Sequence, residues 1–177
     1  VSEAYGETRE SSSLSAPTED AWFVRYTFGM PYTTPSSLIR YSFWWSEARL
    51  LIAALALFIG GVPPVMMLPF PAVMMTLVFA LLKVAWIISG IAAAYLLYQW
   101  LHNGQKVFGG KDRKDTLAFF VMVISGINLG ITGIVGSNIG MSILSSYVIF
   151  VIVGVLYLWT AYRLYVRWNN AGKRMFS

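Results

Sequence analysis

The stretch TLAFFVMVISGINLGITGIVGSNIGMSILSSYVIFVIVGVLYLWTAY, residues 116–162, contains no Asp, Glu, Lys or Arg. One bilayer crossing as a helix needs about 20 predominantly apolar residues, so this stretch is long enough to cross twice. Residues 137–142 are its most polar part and contain a glycine, which favours a turn. The stretch therefore predicts two transmembrane helices, residues 116–136 and 143–168, joined by a short turn.

A second pair of helices is predicted on the amino-terminal side. Residues 50–82 and 84–101 are uncharged and are separated only by Lys83, and four prolines between residues 63 and 71 break the run. As a helix, residues 50–62 span about 20 Å, which is short of the roughly 30 Å hydrocarbon core unless residues 44–49 extend it. The predicted fold is an all-α integral membrane protein with four transmembrane helices in two hairpins.

Composition divides the chain into five segments. A polar and then aromatic amino-terminal arm covers residues 1–47, the hairpins cover residues 48–101 and 116–168, a polar basic loop covers residues 102–115, and a basic tail covers residues 169–177. Pro31 and Pro35 argue against one continuous helix in the arm. Its aromatic part suits either the membrane interface or a protein contact. The predicted interfacial aromatics are Trp22, Trp44, Trp45, Trp100 and Trp168.

The distribution of charge predicts an orientation. Residues 48–177 hold ten basic and two acidic side chains, a net charge of +8, whereas residues 1–47 hold three and six, a net charge of −3. Both predicted hairpin tips are uncharged, so the basic clusters fall on one side, which the positive-inside rule places in the cytoplasm. The amino terminus, central loop and carboxyl terminus are therefore expected there. Anionic lipid explains the basic excess better than DNA or RNA does.

The residue inventory offers little for catalysis. The chain has no cysteine and one histidine, His102, in a predicted polar turn. Thiolate chemistry and a multi-histidine metal site are thereby excluded. Asp112 and Asp115 are expected in a solvated loop without a nucleophile beside them. The sequence predicts a protein that is not an enzyme and uses no cofactor or metal.

Small residues mark the predicted packing surfaces. Gly126, Gly130 and Gly133 share one face of a helix and allow another backbone to approach closely. Asn128 lies on a different face and needs a hydrogen bond in the membrane, for which another helix is the expected partner. The two hairpins also resemble weak copies of one repeat. The full set of predicted packing residues is Gly90, Gly126, Asn128, Gly130, Gly133, Gly136 and Gly154.

The second hairpin carries a family resemblance. SGINLGITGIVGSNIG, residues 125–140, followed by YVIFVIVGVLYLW, residues 147–159, resembles the small bacterial and archaeal membrane family called domain of unknown function 378. The shared pattern is a glycine, an asparagine and further glycines in one helix, then a glycine before an aromatic-rich end. A tryptophan expected after the asparagine is Leu129 here. The resemblance covers residues 116–168 and implies a two-helix membrane unit without a known activity.

Two functions remain open from the residues alone. The first is a structural subunit that assembles with copies of itself or with partners, as a membrane complex, a pilus-like tube or the coat of a membrane-derived virion. The second is a small channel or transporter subunit that uses Lys83, Asn128 and the break at residues 63–71. An intramembrane lysine is a functional candidate by default, but Lys83 can instead extend its ammonium to the interface.

Overall fold

Helices dominate the fold of this protein, whose computed structural model describes residues 35–143 and 146–176. Four helices are long: α1 (Pro35–Phe58), α2 (Ala72–His102), α3 (Arg113–Val135) and α5 (Tyr147–Asn170). A single 3₁₀ turn, Pro64–Met67, lies between α1 and α2, and the short helix α4 (Ile139–Ile143) precedes α5. Within these ranges no strand occurs beyond an isolated bridge between Val107 and Gly110, so the all-α prediction is confirmed.

Three helices in the described ranges, α2, α3 and α5, are long and apolar enough to cross a membrane. Helix α1 is not among them, and it carries Arg40, Glu47 and Arg49. It begins at Pro35, well before the boundary at residue 48 predicted from composition. Proline suits the first turn of a helix, where its missing N–H is not needed. Much of the aromatic region predicted as an arm is therefore helical, while residues 1–34, with Trp22, lie outside the described residues.

The ends of α3 follow directly from local chemistry. The Asp112 carboxylate accepts a hydrogen bond from the backbone N–H of Lys114 at 2.9 Å, which satisfies one of the free donors at the helix start. Gly136 ends the helix with φ of 83°, a left-handed conformation that favours glycine. No atom of the described residues lies within 4 Å of the place that a Gly136 side chain would occupy. Gly136 thus ends a helix, and the packing contact predicted for it is not made within the described part of this chain.

Helices α2 and α3 make the most extensive contact in the bundle. A Cβ atom added to Gly130 would lie 2.6 Å from the Cα atom of Gly90, so the two backbones touch at this crossing. Gly126 faces Ala93 in the same way, and Gly133 faces Ile87. Close backbone approach of this kind holds helices together in lipid, where burial of apolar surface contributes little. The predicted glycine stripe is used inside one chain.

The second largest contact joins α1 to α5, the two helices farthest apart in the sequence. The ring of Phe58 lies over Gly154, where a Cβ atom would come within 2.8 Å of it. At the other end of these helices, Phe43 stacks on Trp168 with ring centroids 4.3 Å apart. Trp168 is only 1% exposed, so it belongs to the core and not to the predicted aromatic interface.

Charged residues close the bundle at this same end. Asp115 is fully buried and accepts hydrogen bonds from Arg163 at 2.8 Å and Arg167 at 2.6 Å. The prediction of a solvated Asp115 is therefore wrong, because two arginines of α5 reach it and balance its charge. The nearby loop and carboxyl-terminal segment also meet, since the backbone N–H of Phe108 donates to the carbonyl of Met175 at 2.7 Å.

Candidate functional site

A cavity of about 780 Å³ lies among the four long helices. Its inner end is at the level of Arg49, Ser89 and Ser125, near the middle of the bundle. Its outer end is formed by Pro63 and Pro64 together with α4. Binding sites for small molecules commonly measure roughly 300 to 1,000 Å³ and combine apolar walls with a few polar groups. The size and place of this cavity make it the candidate functional site.

The most unusual group at the cavity is the guanidinium of Arg49, whose residue is only 7% exposed. Its Nη1 donates to the Ser125 hydroxyl at 2.8 Å, and its Nη2 donates to the carbonyl of Met122 at 2.8 Å. The Nε atom is buried and has no hydrogen-bond partner among the described residues. Because a guanidinium has five N–H donors, these two bonds leave three of them unpaired, one on Nε and one on each Nη.

Glu47 is the acidic residue closest to Arg49 along α1, but it does not form an ion pair with the guanidinium. The ion pairs of the described residues all join Asp112 or Asp115 to arginines of α5. Glu47 is 5% exposed, and its Oε1 is buried without a hydrogen-bond partner among the described residues. Residues two apart on a helix point in different directions. Arg49 is thus a buried cation whose contacts are neutral groups.

Two hydroxyl groups that line the cavity are already satisfied by their own helices. The Ser89 hydroxyl donates to the carbonyl of Ala85 at 2.7 Å and accepts from the indole N–H of Trp45 at 3.0 Å. The Thr132 hydroxyl donates to the carbonyl of Asn128 at 2.8 Å. Such bonds let serine and threonine sit inside a membrane helix bundle at low cost. Their donors are not free for a ligand, in contrast to those of Arg49.

The outer end of the cavity is held by a network around Asn128. Its Nδ2 donates to Oδ1 of Asn138 at 2.8 Å, and its Oδ1 accepts from the N–H of Gly140 at 3.4 Å. Asn138 also accepts from the N–H of Met141 at 3.2 Å, which caps α4. The sequence predicted that another helix would be the hydrogen-bond partner of Asn128. The partner is instead this short segment at the start of α4. The network fixes α4 at the cavity mouth.

Between the two polar ends the walls are apolar. They are formed by Ile52, Ala53, Ala56, Leu82, Phe150 and Val153. Met141 of α4 packs against Gly61 at the outer end, where a larger residue would collide with it. A long apolar section with a cation at its inner end suits a ligand with the matching division of polarity.

The structure brings together only some of the residues singled out from the sequence. Asn128, Pro63 and Pro64 line the cavity, whereas Lys83 is exposed on α2 and does not. Trp45 also lines it, while Trp44 packs edge-on against Tyr165 and Trp100 against Phe120.

Sequence reasoning did not single out Arg49 or Glu47. The available signal was position: Arg49 directly precedes the uncharged run that begins at Leu50. A helix extended backwards from that run carries Arg49 into the bundle. An ionisable residue at such a depth is a functional candidate by default.

No protein-family model matches this chain, and no curated protein or solved structure matches it either. The resemblance of residues 116–168 to domain of unknown function 378 therefore stays a prediction.

Proposed function

We propose that this chain is a non-enzymatic membrane subunit that binds a small molecule inside its helix bundle, as a channel or transporter subunit does. One observation supports the proposal above the others: a buried guanidinium with spare donors lies at the inner end of a cavity of about 780 Å³. A buried charge destabilises the fold, and a buried charge beside a cavity is typical of a binding site. In this proposal Asn128 lines the binding site. Lys83 has no part in the site, because it is exposed and does not line the cavity.

The proposal includes α1 as a fourth membrane crossing. Its 24 residues extend about 36 Å as a helix, enough for a hydrocarbon core of roughly 30 Å. Its deeper ionisable residues, Glu47 and Arg49, are buried, as intramembrane charges usually are. By the positive-inside rule, the end of the bundle that holds Arg163 and Arg167 is cytoplasmic.

Assembly into a larger membrane complex is a second proposal with less support. The glycine stripe that would have joined subunits is used between α2 and α3 of one chain. The exposed face of α2 carries many large apolar residues, among them Val73, Leu77, Leu81, Val84, Ile88 and Ile91. Lipid covers such a face well, whereas helix association in membranes favours small residues. Light scattering of the purified protein tests assembly with copies of itself, which predicts a polymer and not a small particle.

A pair of matched substitutions on α2 tests the cavity. Ala85 lines it, and Ala80 lies on the exposed part of the same helix. Phenylalanine at position 85 fills cavity volume, while phenylalanine at position 80 adds an apolar side chain outside it. The readout is native mass spectrometry of protein released from detergent, which weighs any small molecule that co-purifies.

We expect a co-purifying molecule on the wild-type protein and on Ala80→Phe, and its loss from Ala85→Phe. The unfolding temperature of both variants is measured in parallel, so that loss of the fold is separated from loss of the site. Equal occupancy in the two variants contradicts the proposed function, and so does a folded wild-type protein with which nothing co-purifies and to which no added small molecule binds.

A further inference from the structure

We infer that the ligand is a single-chain anionic amphiphile, with a carboxylate or phosphate head at Arg49 and a hydrocarbon chain along the apolar walls. The inference rests on the proposed function and names the chemical class that the cavity takes. The carboxylate and phosphate forms of this ligand share one feature, an oxyanion joined to a single apolar chain.

The head-group assignment follows from the hydrogen bonds that Arg49 does and does not make. Ser125 and Met122 offer it a hydroxyl and a carbonyl, so neither partner brings a negative charge. The remaining N–H groups of Nη1 and Nη2 suit the oxygens of a carboxylate or phosphate, which a guanidinium can bind in a bidentate way. The Nε–H group is buried without a partner among the described residues, so it adds to the demand for a compensating negative charge. A bound oxyanion would both fill the Nη donors and compensate the buried charge.

The single positive charge of Arg49 limits the negative charge that the head group of the ligand can carry. Arg49 is the cation among the lining residues, and Glu47, which does not line the cavity, forms no ion pair with it in the part of the chain that the structure describes. One guanidinium balances one negative charge, so a di- or triphosphate would bring surplus charge into a site of low dielectric constant. A cationic ligand would be repelled by Arg49. A neutral ligand would leave its charge uncompensated.

The chain assignment follows from the walls. Ile52, Ala56 and Leu82 belong to the section beyond Arg49, and Phe150 and Val153 of α5 face the same space. At the outer end, Asn128 and Asn138 bond mainly to each other and to the backbone of α4, so they demand little from a ligand. A small anion alone would leave this apolar section without a partner, whereas a hydrocarbon chain fills it.

The test compares probes of one chain length on the purified full-length protein in neutral-lipid nanodiscs. Dodecanoate and dodecyl phosphate carry the inferred head groups, dodecanol and dodecylammonium carry a neutral and a cationic one, and acetate carries the head without the chain. Binding is titrated by native mass spectrometry. We expect dodecanoate or dodecyl phosphate to bind at least about tenfold more tightly than dodecanol, the gain typical of charged hydrogen bonds.

Variants of two arginines on α1 link the preference to its residue. Arg49→Gln should abolish the preference for anionic probes, and Arg49→Lys should retain part of it because the charge stays. Arg40→Gln is the matched control, since Arg40 is exposed near the start of the same helix. Should Arg49→Gln fail to fold, Arg49→Lys and the probe comparison on the wild-type protein still decide.

The outcomes separate the two proposals. If dodecanol binds as tightly as dodecanoate and dodecyl phosphate, the cavity binds ligands but the head-group inference is wrong. If acetate binds as tightly as dodecanoate, the hydrocarbon chain contributes nothing to binding and that part of the inference is wrong. If no probe binds and nothing co-purifies, the proposed function itself fails. Unchanged anion preference in folded Arg49→Gln also overturns the inference.

Discussion

The Arg49 guanidinium donates a 2.8 Å hydrogen bond to the hydroxyl of Ser125, 76 positions later in the chain. The bond links α1 to α3, two helices that otherwise share little contact across the bundle. It holds the cation at the inner end of the cavity and satisfies part of its demand for acceptors. The position of α1 and the chemistry of the cavity are therefore coupled through this contact and the neighbouring bond from Arg49 to the carbonyl of Met122.

Removal of the Ser125 hydroxyl should destabilise the bundle. Ser125→Ala leaves an N–H of a buried charged group without its acceptor, which typically costs about 1–3 kcal/mol. We expect a lower unfolding temperature in detergent, followed by circular dichroism. Ser137→Ala is the control, because Ser137 is exposed at the end of α3. Equal stability of the two variants would show that water or another group replaces Ser125.

The crossing of α2 and α3 gives a second prediction. Gly130→Ala places a methyl group 2.6 Å from the Cα atom of Gly90, so the helices must separate. Overpacking of this kind typically costs about 1–3 kcal/mol, and Gly130→Leu should cost more. Thermal unfolding of the two variants checks this order.

The control for the glycine prediction is Gly110→Ala, where the nearest atom to the added methyl group is 4.0 Å away. We expect little change in this variant. A Gly130→Ala protein as stable as Gly110→Ala would contradict the close approach of the two backbones.

The sequence could predict the apolar helices but not the way they pair. The uncharged run at residues 116–162 predicts two helices because it is long enough for two membrane crossings. The pairing of α2 with α3 depends on Gly90 facing Gly130, a match between distant residues that composition does not reveal. The burial of Asp115 likewise depends on Arg163 and Arg167, about 50 positions away.

The same reason explains why the site was only partly predicted. Asn128 is visible as a polar residue in an apolar run, and the prolines at residues 63 and 64 are visible as a break. Arg49 is located among charged and aromatic residues that predict an interface. Only its long-range bonds to Ser125 and Met122 place it in the bundle.

The buried ion pairs at the cytoplasmic end of the proposed topology give a third prediction. Asp115→Asn removes the charge that Arg163 and Arg167 share, and breaking a buried pair typically costs about 3–5 kcal/mol. Both arginines are partly exposed, so we expect the free energy of unfolding to fall by about 3 kcal/mol, the lower end of this range. We expect a large fall in the unfolding temperature.

Asp112→Asn is the matched control for Asp115→Asn. Asp112 is more exposed and, among the described residues, pairs only with Arg163, and asparagine can still cap α3. Its expected loss is about 1 kcal/mol or less. Equal losses in the two variants would contradict the buried role of Asp115.

The asparagine network predicts local behaviour at the cavity mouth. Asn128→Ala removes the side chain that holds Asn138 and Gly140, while the end of α3 and the cap of α4 by Asn138 remain. Because α4 has only five residues, it depends on such contacts more than the long helices do. Hydrogen–deuterium exchange should therefore speed up across residues 138–143, with little change in α2 or α5. Asn103→Ala, at the exposed end of α2, is the control, since among the described residues its side-chain amide donates only to Gln99, four residues earlier. Exchange that speeds up equally in both variants, or throughout the bundle, would mean that Asn128 supports the fold as a whole and not the cavity mouth.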